Sequence, residues 1–468
     1  MTKDSNWRPT IGLEIHAELK TKTKMFCDCK NDSDQKRPNV NICPICLAHP
    51  GTLPVINKTA VKQVLKVGLA IGGRLADFSE FDRKNYFYPD IPKGYQISQY
   101  KHPLVSGGQL VGVDITRVHL EEDTASASHV GDFSLIDFNR AGVPLMELVT
   151  EPVMHSAQAV VKFGEELQLL LQYLGVAAAN MEKGEMRLEA NISVSKDQTL
   201  GTKVEVKNLN SFRSAERAID YEIKRQIELL ENAEKIKQET RGWDDKKQIT
   251  FSQRSKENSH DYRYFPDPDL PKLKLSETEE FDEKALRLQI KETPNEKRLR
   301  MKRDFGIKDS DINFYVYNIK LGEFFEEAAK GLEAKDFQLL SNYVVSDIAS
   351  LGSKGLALNA KNLATLIFMS ASGEISSRGA KDILIKMTET GQDPKIIAEE
   401  EGLFQKSDVA DLTNVVQKII SENPTAVSEY KNGKVSALQF LVGQGMKETK
   451  GSANPTVLKD LFTKILGL

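Results

Sequence analysis

Nine residues near the N-terminus, Ile11-Gly-Leu-Glu-Ile-His-Ala-Glu-Leu19, alternate strictly between apolar and polar. Successive side chains of a strand point to opposite faces, so Ile11, Leu13, Ile15, Ala17 and Leu19 share one face and Glu14, His16 and Glu18 share the other. A helix would scatter both sets around its axis. The segment is therefore predicted to be a strand with one face in a core. Two carboxylates and an imidazole suit a hard cation such as magnesium, provided other strands supply further ligands. A solvated polar face on an edge strand is the simpler alternative, and these nine residues leave both open.

All four cysteines follow closely, as Cys27-x-Cys29 and Cys43-x-x-Cys46. Two close pairs separated by a loop suit tetrahedral thiolate coordination of zinc. A disulfide framework fits less well, because only ten residues precede the strand and they leave no room for a secretion signal. The same shortness points to a cytoplasmic chain. Four thiolates around zinc leave no open position, so the site over 27–46 would be structural. No cysteine would then remain as a nucleophile, which excludes a cysteine-type amidase. The 468 residues carry 64 Lys+Arg against 67 Asp+Glu, a net of −3, so any contact with nucleic acid must use local patches. No apolar run reaches membrane-spanning length.

Further along, Phe81–Tyr100 is predicted to be a loop from its Pro and Gly content. It interleaves Arg83, Lys84 and Lys93 with Tyr86, Phe87, Tyr88 and Tyr95, a pattern that suits phosphate contacts and base stacking, or equally the anchoring of a long loop. In Val118–Asp123, alternation places His119, Glu121 and Asp123 on one strand face and Glu122 on the other. Glu147 stands between Met146 and Leu148 in an apolar strand, where a lone carboxylate is costly unless it is paired or binds a metal. Met186–Ser195 carries Arg187, Glu189 and Asn191 on one face, and the next strand carries Lys203, Glu205 and Lys207. Strands that repeatedly oppose an apolar face to one rich in Glu, Arg, Lys and Asn imply that the polar faces converge on a charged cavity able to hold a metal and a polyphosphate.

The second half is different in kind. Lys272–Thr293 reads as a charged linker with a short helix. Pro294 is placed in the first turn of the next helix, and from Asp311 to Leu468 the pattern is almost entirely helical, with breaks at Gly352–Gly355, Gly373, Gly391 and Pro424. Lys297, Arg298, Arg300, Lys302 and Arg303 form a basic run that would face either an RNA backbone or solvent. Nothing there looks catalytic. The predicted architecture is α+β: a β-rich domain over 1–293, an all-α helical domain over 294–400 and a small all-α tail over 401–468. The chain has no Walker-type phosphate loop, Gly-x-Gly-x-x-Gly fingerprint or Gly-x-Ser-x-Gly elbow. Any ATP must then be held by metal, arginines and lysines on strands.

Several stretches together resemble the B-subunit family of the glutamyl/aspartyl-tRNA amidotransferases. They are Ile11–Leu19, Phe81-Asp-Arg-Lys-Asn-Tyr-Phe-Tyr-Pro-Asp90, His119-Leu-Glu-Glu-Asp123, Asn139-Arg-Ala-Gly-Val-Pro-Leu-Met-Glu147, Val206-Lys-Asn-Leu-Asn-Ser-Phe212 and Asp261-Tyr-Arg-Tyr-Phe-Pro-Asp-Pro-Asp269. The tail segment Phe440-Leu-Val-Gly-Gln-Gly-Met-Lys-Glu-Thr-Lys-Gly451 is similar to the same family's C-terminal helical domain. The resemblance implies a β-rich cradle domain, a helical domain and a tRNA-binding tail. It implies a heterotrimer with an amidase A subunit and a small C subunit. It also implies ATP-dependent phosphorylation of the side-chain carboxylate of Glu-tRNA(Gln) or Asp-tRNA(Asn), followed by amidation with ammonia from the A subunit. By this resemblance the Mg²⁺ ligands are Glu14, His16, Glu122 and Glu147. Joining two anions needs cations to neutralise their charge, so Lys84, Arg187 and Lys207 are assigned to ATP or substrate. A non-catalytic, zinc-containing tRNA-binding scaffold is the alternative. A tRNA synthetase would be expected to show His-Ile-Gly-His and Lys-Met-Ser-Lys-Ser, and neither is present.

Overall fold

A computed structural model describes residues 6–32, 34–255, 259–405, 409–449 and 453–467, with backbone alone at 254–255, 259–260 and 409–411. Lys450 and Gly451 of the tail motif lie outside the described residues. The chain divides into two compact units, Met1–Pro294 and Asn295–Leu468.

The first unit is built on a ten-stranded sheet. Its principal strands are β1 (Arg8–Glu18), β4 (Val113–Glu122), β7 (Pro144–Thr150), β8 (Met186–Ser195), β9 (Val204–Leu209), β10 (Glu239–Asp244) and β11 (Ile249–Ser255). The numbering leaves β2 (Asp82–Asn85) and β3 (Tyr95–Ser98) for a separate hairpin, and β5 (Ser126–Val130) and β6 (Phe133–Asp137) for another. Across the sheet the order is β11-β10-β9-β8-β1-β7-β4, extended beyond β4 by short strands. Every pairing in that run is antiparallel except β9 with β10. Thus β1 lies inside the sheet, not at its edge, and the edge-strand alternative falls.

Three helices cover the apolar face. These are α1 (Lys58–Ala70), α2 (Ala157–Tyr173) and α3 (Phe212–Glu231). Asn57, Ser156 and Ser211 cap them through side-chain oxygens that accept backbone N–H groups of the first turn. Ile11, Leu13 and Ile15 are almost wholly buried in one cluster with Val64 and Leu65 of α1, Phe163 and Leu167 of α2 and Ala215 and Ile219 of α3. Each large aliphatic side chain so buried contributes about 1.5–3 kcal/mol. Gly164 lets α2 sit close to α3 and the sheet, since a Cβ there would lie 2.5 Å from the Phe212 ring.

The second unit is helical, as its periodicity predicts. Pro394, Pro424 and Pro455 each open a helix, and Gly391 ends Ser377–Thr390 in the left-handed conformation. Leu412, Val416, Leu438, Leu441, Leu458 and Phe462 close the core of the last four helices. The basic run is corrected here. On the helix Pro294–Phe305, Lys297 is buried 3.7 Å from Glu326, and Arg300 grips the same carboxylate at 2.9 and 3.1 Å. Spacing of charges in sequence did not reveal that this side of the helix faces a neighbour.

Candidate active site

Because β1 is interior, its polar side chains meet those of the strands on both sides. His16 pairs in register with Glu147 on β7 and with Arg187 on β8, and Glu147 pairs with His119 on β4. Two residues on, Glu18 faces Leu145, whose partner is Glu121. Two residues back, Glu14 faces Glu189. The result is a ladder of ionisable groups on the side of the sheet opposite the helices.

The centre of the ladder is His16, Glu121 and Glu147. The His16 Nε2 lies 3.4 Å from Glu147 Oε2 and 3.7 Å from Glu121 Oε1. His119 Nε2 approaches the same carboxylates at 3.3 and 3.9 Å. Ser98 on β3 donates to Glu121 at 2.9 Å. Burial works against charge on His16, but the carboxylates of Glu147, Glu189 and Glu121 outweigh it and raise its pKa to about 9. Burial likewise opposes charge on Glu147, and the two imidazoles hold it well below the usual carboxylate range. Among the described residues, the Nδ1 of His119 and the Nε of Arg117 are buried with no hydrogen-bond partner, so these leave this face partly unsatisfied.

A second group lies one step along the ladder. Ligand atoms of Glu14, Glu189 and Glu205 lie within 4.8 Å of one another, as do those of His16, Glu121 and Glu147. Asn191 donates to Glu14 at 2.9 Å, Thr240 donates to Glu205 at 2.6 Å, and Lys207 sits 2.8 Å from Glu189. Despite burial, those carboxylates raise the pKa of Lys207. At the other end, Arg187 holds Asp123 at 2.6 Å, with Arg140 at 3.7 Å. Lys84 approaches from β2, with its ammonium 4.8 Å from the centre of the Tyr262 ring. Its burial is outweighed by Tyr264, Glu121, Tyr86 and Glu147, which raise its pKa.

Of the four carboxylate and imidazole ligands expected from the resemblance, His16 and Glu147 meet directly, and Glu14 joins the neighbouring group. Glu122 is a correction. Alternation turns it to the opposite face, where its carboxylate takes Lys93 at 2.6 Å and the Ile97 N–H at 2.9 Å. There it lines a cavity of about 130 Å³ with Cys27, Cys46 and Tyr95. Glu121 occupies the place expected of Glu122, as the strand period alone would have indicated. Glu189 and Glu205 lay on polar faces recognised in sequence, but nothing local shows which strands become neighbours. Phe81–Tyr100 also differs from expectation. It forms the β2–β3 hairpin, in which Arg83 is bound to Asp267 and Asp269 at 2.9 Å each and lies 4.3 Å from the Tyr95 ring centre. Only Lys84 of its three cations faces the polar ladder.

The four cysteine sulfurs lie within 4.8 Å of one another. Tetrahedral thiolates around zinc stand about 3.8 Å apart, so the set fits that ion with little movement. Hydrogen bonds from Cys27 and the Cys43 N–H, with help from Lys24, lower the Cys46 pKa to about 5 despite its burial. The loop is tied down by Asn139, whose Oδ1 accepts the N–H groups of Val40 and Asn41 at 2.8 Å each and whose amide donates to Arg37 O at 2.7 Å.

Among the described residues, no helix is long and apolar enough to cross a membrane. Comparison with known proteins gives matches over most of the chain. The family model described as "GatB/GatE catalytic domain" matches residues 9–280, and one described as "GatB domain" matches 323–466. A protein of Carboxydothermus hydrogenoformans, named as the B subunit of an aspartyl/glutamyl-tRNA(Asn/Gln) amidotransferase, is 41% identical over 97% of this chain and 98% of its own length. Proteins of the same name from Thermotoga maritima and Gloeothece citriformis are 43% and 41% identical, covering 98% and 99% of this chain and 99% and 98% of their own lengths.

Proposed function

The chain belongs to the GatB/GatE family, with the B subunits of the aspartyl/glutamyl-tRNA(Asn/Gln) amidotransferases, and from that premise we propose that the polar face of its sheet is where the aminoacyl carboxylate is activated. The reaction is an ATP-dependent amidation. The carboxylate of mischarged Glu-tRNA(Gln) or Asp-tRNA(Asn) takes the γ-phosphoryl group of ATP, and ammonia then displaces phosphate to give the amide. The ammonia comes from an amidase A subunit, in a heterotrimer with a C subunit, and the complex works in the cytoplasm. A catalytic-domain match over residues 9–280 does not favour the scaffold alternative.

His16, Glu121 and Glu147 suit Mg²⁺. Cis ligands of an octahedral Mg²⁺ stand about 3 Å apart, and the 3.4 and 3.7 Å separations need only slight closure. Glu14, Glu189 and Glu205 suit a second divalent cation, and the four cysteines suit structural zinc. Divalent cations there supply neutralisation of the charge that builds up as two anions are joined. The chain's own groups do the rest. Lys207 and Lys84 hold phosphate oxygens in reach, and Arg187 orients the aminoacyl group. Because these donors are fixed on strands, little reorganisation is needed as charge develops. Residues 1–293 carry this chemistry, 294–400 form the helical domain and 401–468 hold the tRNA.

The observation that carries the reading is the meeting of His16, Glu121, Glu147 and Lys84 from four different strands. The test uses the chain assembled with its A and C partners, Mg²⁺, Glu-tRNA(Gln) and free ammonium. ATP consumption should depend on charged tRNA and vanish in a folded Glu147→Gln variant. Normal turnover by that variant would mean that the site is wrong. Absence of tRNA-dependent ATP consumption by wild type would mean that the activity is wrong.

A further inference from the structure

Glu18 follows Glu14 and His16 on the polar face of β1 and has no assigned task. Its side chain is on the same face as Glu14 and His16, and the residue is only 9% exposed. Among the described residues its carboxylate makes no hydrogen bond or ion pair, although Asp123, Arg187, Arg140 and Glu185 surround it. The two guanidiniums beside it are engaged. Arg187 donates to Asp123 at 2.6 Å, and Arg140 donates to the carbonyls of Thr124 and Ala125 at 3.0 Å each. Glu185 accepts the Asn180 N–H at 3.2 Å. Three carboxylates thus face two arginines, and the one without a partner, Glu18, keeps its oxygens open to solvent on the polar face beside the reaction centre. A largely desolvated carboxylate left open to that face is stabilised when a cationic ligand completes it.

We propose that Glu18 receives the α-ammonium group of the aminoacyl residue on the tRNA. Glu18 and His16 are two residues apart on one strand, about 6.7 Å between their Cα atoms. In the substrate, the α-ammonium and the reacting carboxylate are likewise separated by a few bonds of one side chain. With the carboxylate at the His16 group, the ammonium reaches towards Glu18, between Arg187 and Asp123. The ligand must be a primary ammonium, because the site lacks one positive charge and its arginines already have acceptors. Glu18 would thereby select tRNA bearing a free amino acid over tRNA bearing an N-blocked or peptidyl group. This rests on the activation site proposed above.

The experiment compares Glu-tRNA with 2-hydroxyglutaryl-tRNA, made by acylating the tRNA with 2-hydroxyglutarate protected on its side-chain carboxylate and then freeing that carboxylate, so that the cation is lost while size is kept. Both are given to the assembled complex with ATP, Mg²⁺ and ammonium. Wild type should amidate the hydroxy analogue with kcat/KM lower by about 10- to 100-fold, the range for a buried charge-assisted hydrogen bond. Glu18→Gln should lose a similar factor with Glu-tRNA and stay within about twofold of wild type with the analogue. Equal use of both substrates by wild type overturns the proposal without needing the variant. Equal loss on both substrates in Glu18→Gln overturns it too, as does a raised KM for ammonium with both, which would make free ammonium the occupant. If wild type amidates neither substrate, the activity proposed above fails and this proposal falls with it.

Discussion

In the sheet of the first unit, Glu121, Glu147 and Glu205 are each less than a tenth exposed, and they share a few cations with other carboxylates nearby. In the helices of the second unit, Lys330 with Glu327, Arg378 with Asp382 and Lys418 with Glu448 pair on the surface. Surface pairs are solvated whether or not they form, so each adds little to stability. The carboxylates on the sheet repel one another in a region of low dielectric, and the imidazoles of His16 and His119 offset that repulsion at Glu147. Charge on the helices serves solubility and local fit. Charge on the sheet is concentrated where a cationic ligand can relieve it.

That contrast can be broken by substitution. The largest effect should come from Glu147→Gln, which keeps the shape but removes the charge shared by His16 and His119. Amidation should fall about a thousandfold, and because the lowered pKa of Glu147 makes its ionised form stabilising at neutral pH, the melting temperature should fall by only a few degrees. A large fall in melting temperature would mean that the carboxylate is there for stability. Glu205→Gln should weaken Mn²⁺ or Mg²⁺ binding about 10- to 100-fold, read by titration, with the fold intact.

Acidity offers a third route. The folded pKa of His16 is raised from 6.5 to about 9, so its protonated form contributes stability that is fully present below pH 6.5 and is lost as pH rises through 9. Denaturation in chelator should show a decline on the order of 3 kcal/mol across that window. Saturating Mg²⁺ should remove the decline, because the cation replaces the proton. A flat profile in chelator would separate His16 from the carboxylates. Cys29→Ser should remove bound zinc, measured by elemental analysis, and lower the melting temperature by a few degrees. The smallest effect belongs to the helices. Lys386→Ala, which breaks a surface pair with Glu401, should shift stability by less than about 0.5 kcal/mol and leave amidation unchanged.

Much of this was legible in the chain itself. The alternation of Ile11–Leu19 marked both the core face and the polar face of β1, and the two close cysteine pairs marked the four sulfurs that meet. What could not be read was adjacency. Glu189 and Glu205 show their polar faces locally, but their meeting with Glu14 depends on β8 lying between β1 and β9. The displacement of Glu122 by Glu121 has a different origin. Alternation had already placed Glu121 with His119, and the resemblance drew the assignment one residue along. Arg83 and Lys297 looked like cations awaiting a ligand, because their partners Asp267 and Glu326 are distant in sequence.

The interior position of β1 has a consequence for what the chain can tolerate. Glu14, His16 and Glu18 share one face, and Leu13, Ile15 and Ala17 fill the core from the other. Deleting or inserting one residue within this stretch would exchange the two sets in every position beyond it. Carboxylates would enter the core while leucine and isoleucine faced the substrate. Substitution can therefore retune any one rung, but the length of this segment cannot drift. A frameshift repaired within a few codons here would erase core and site together, with no half-active form in between.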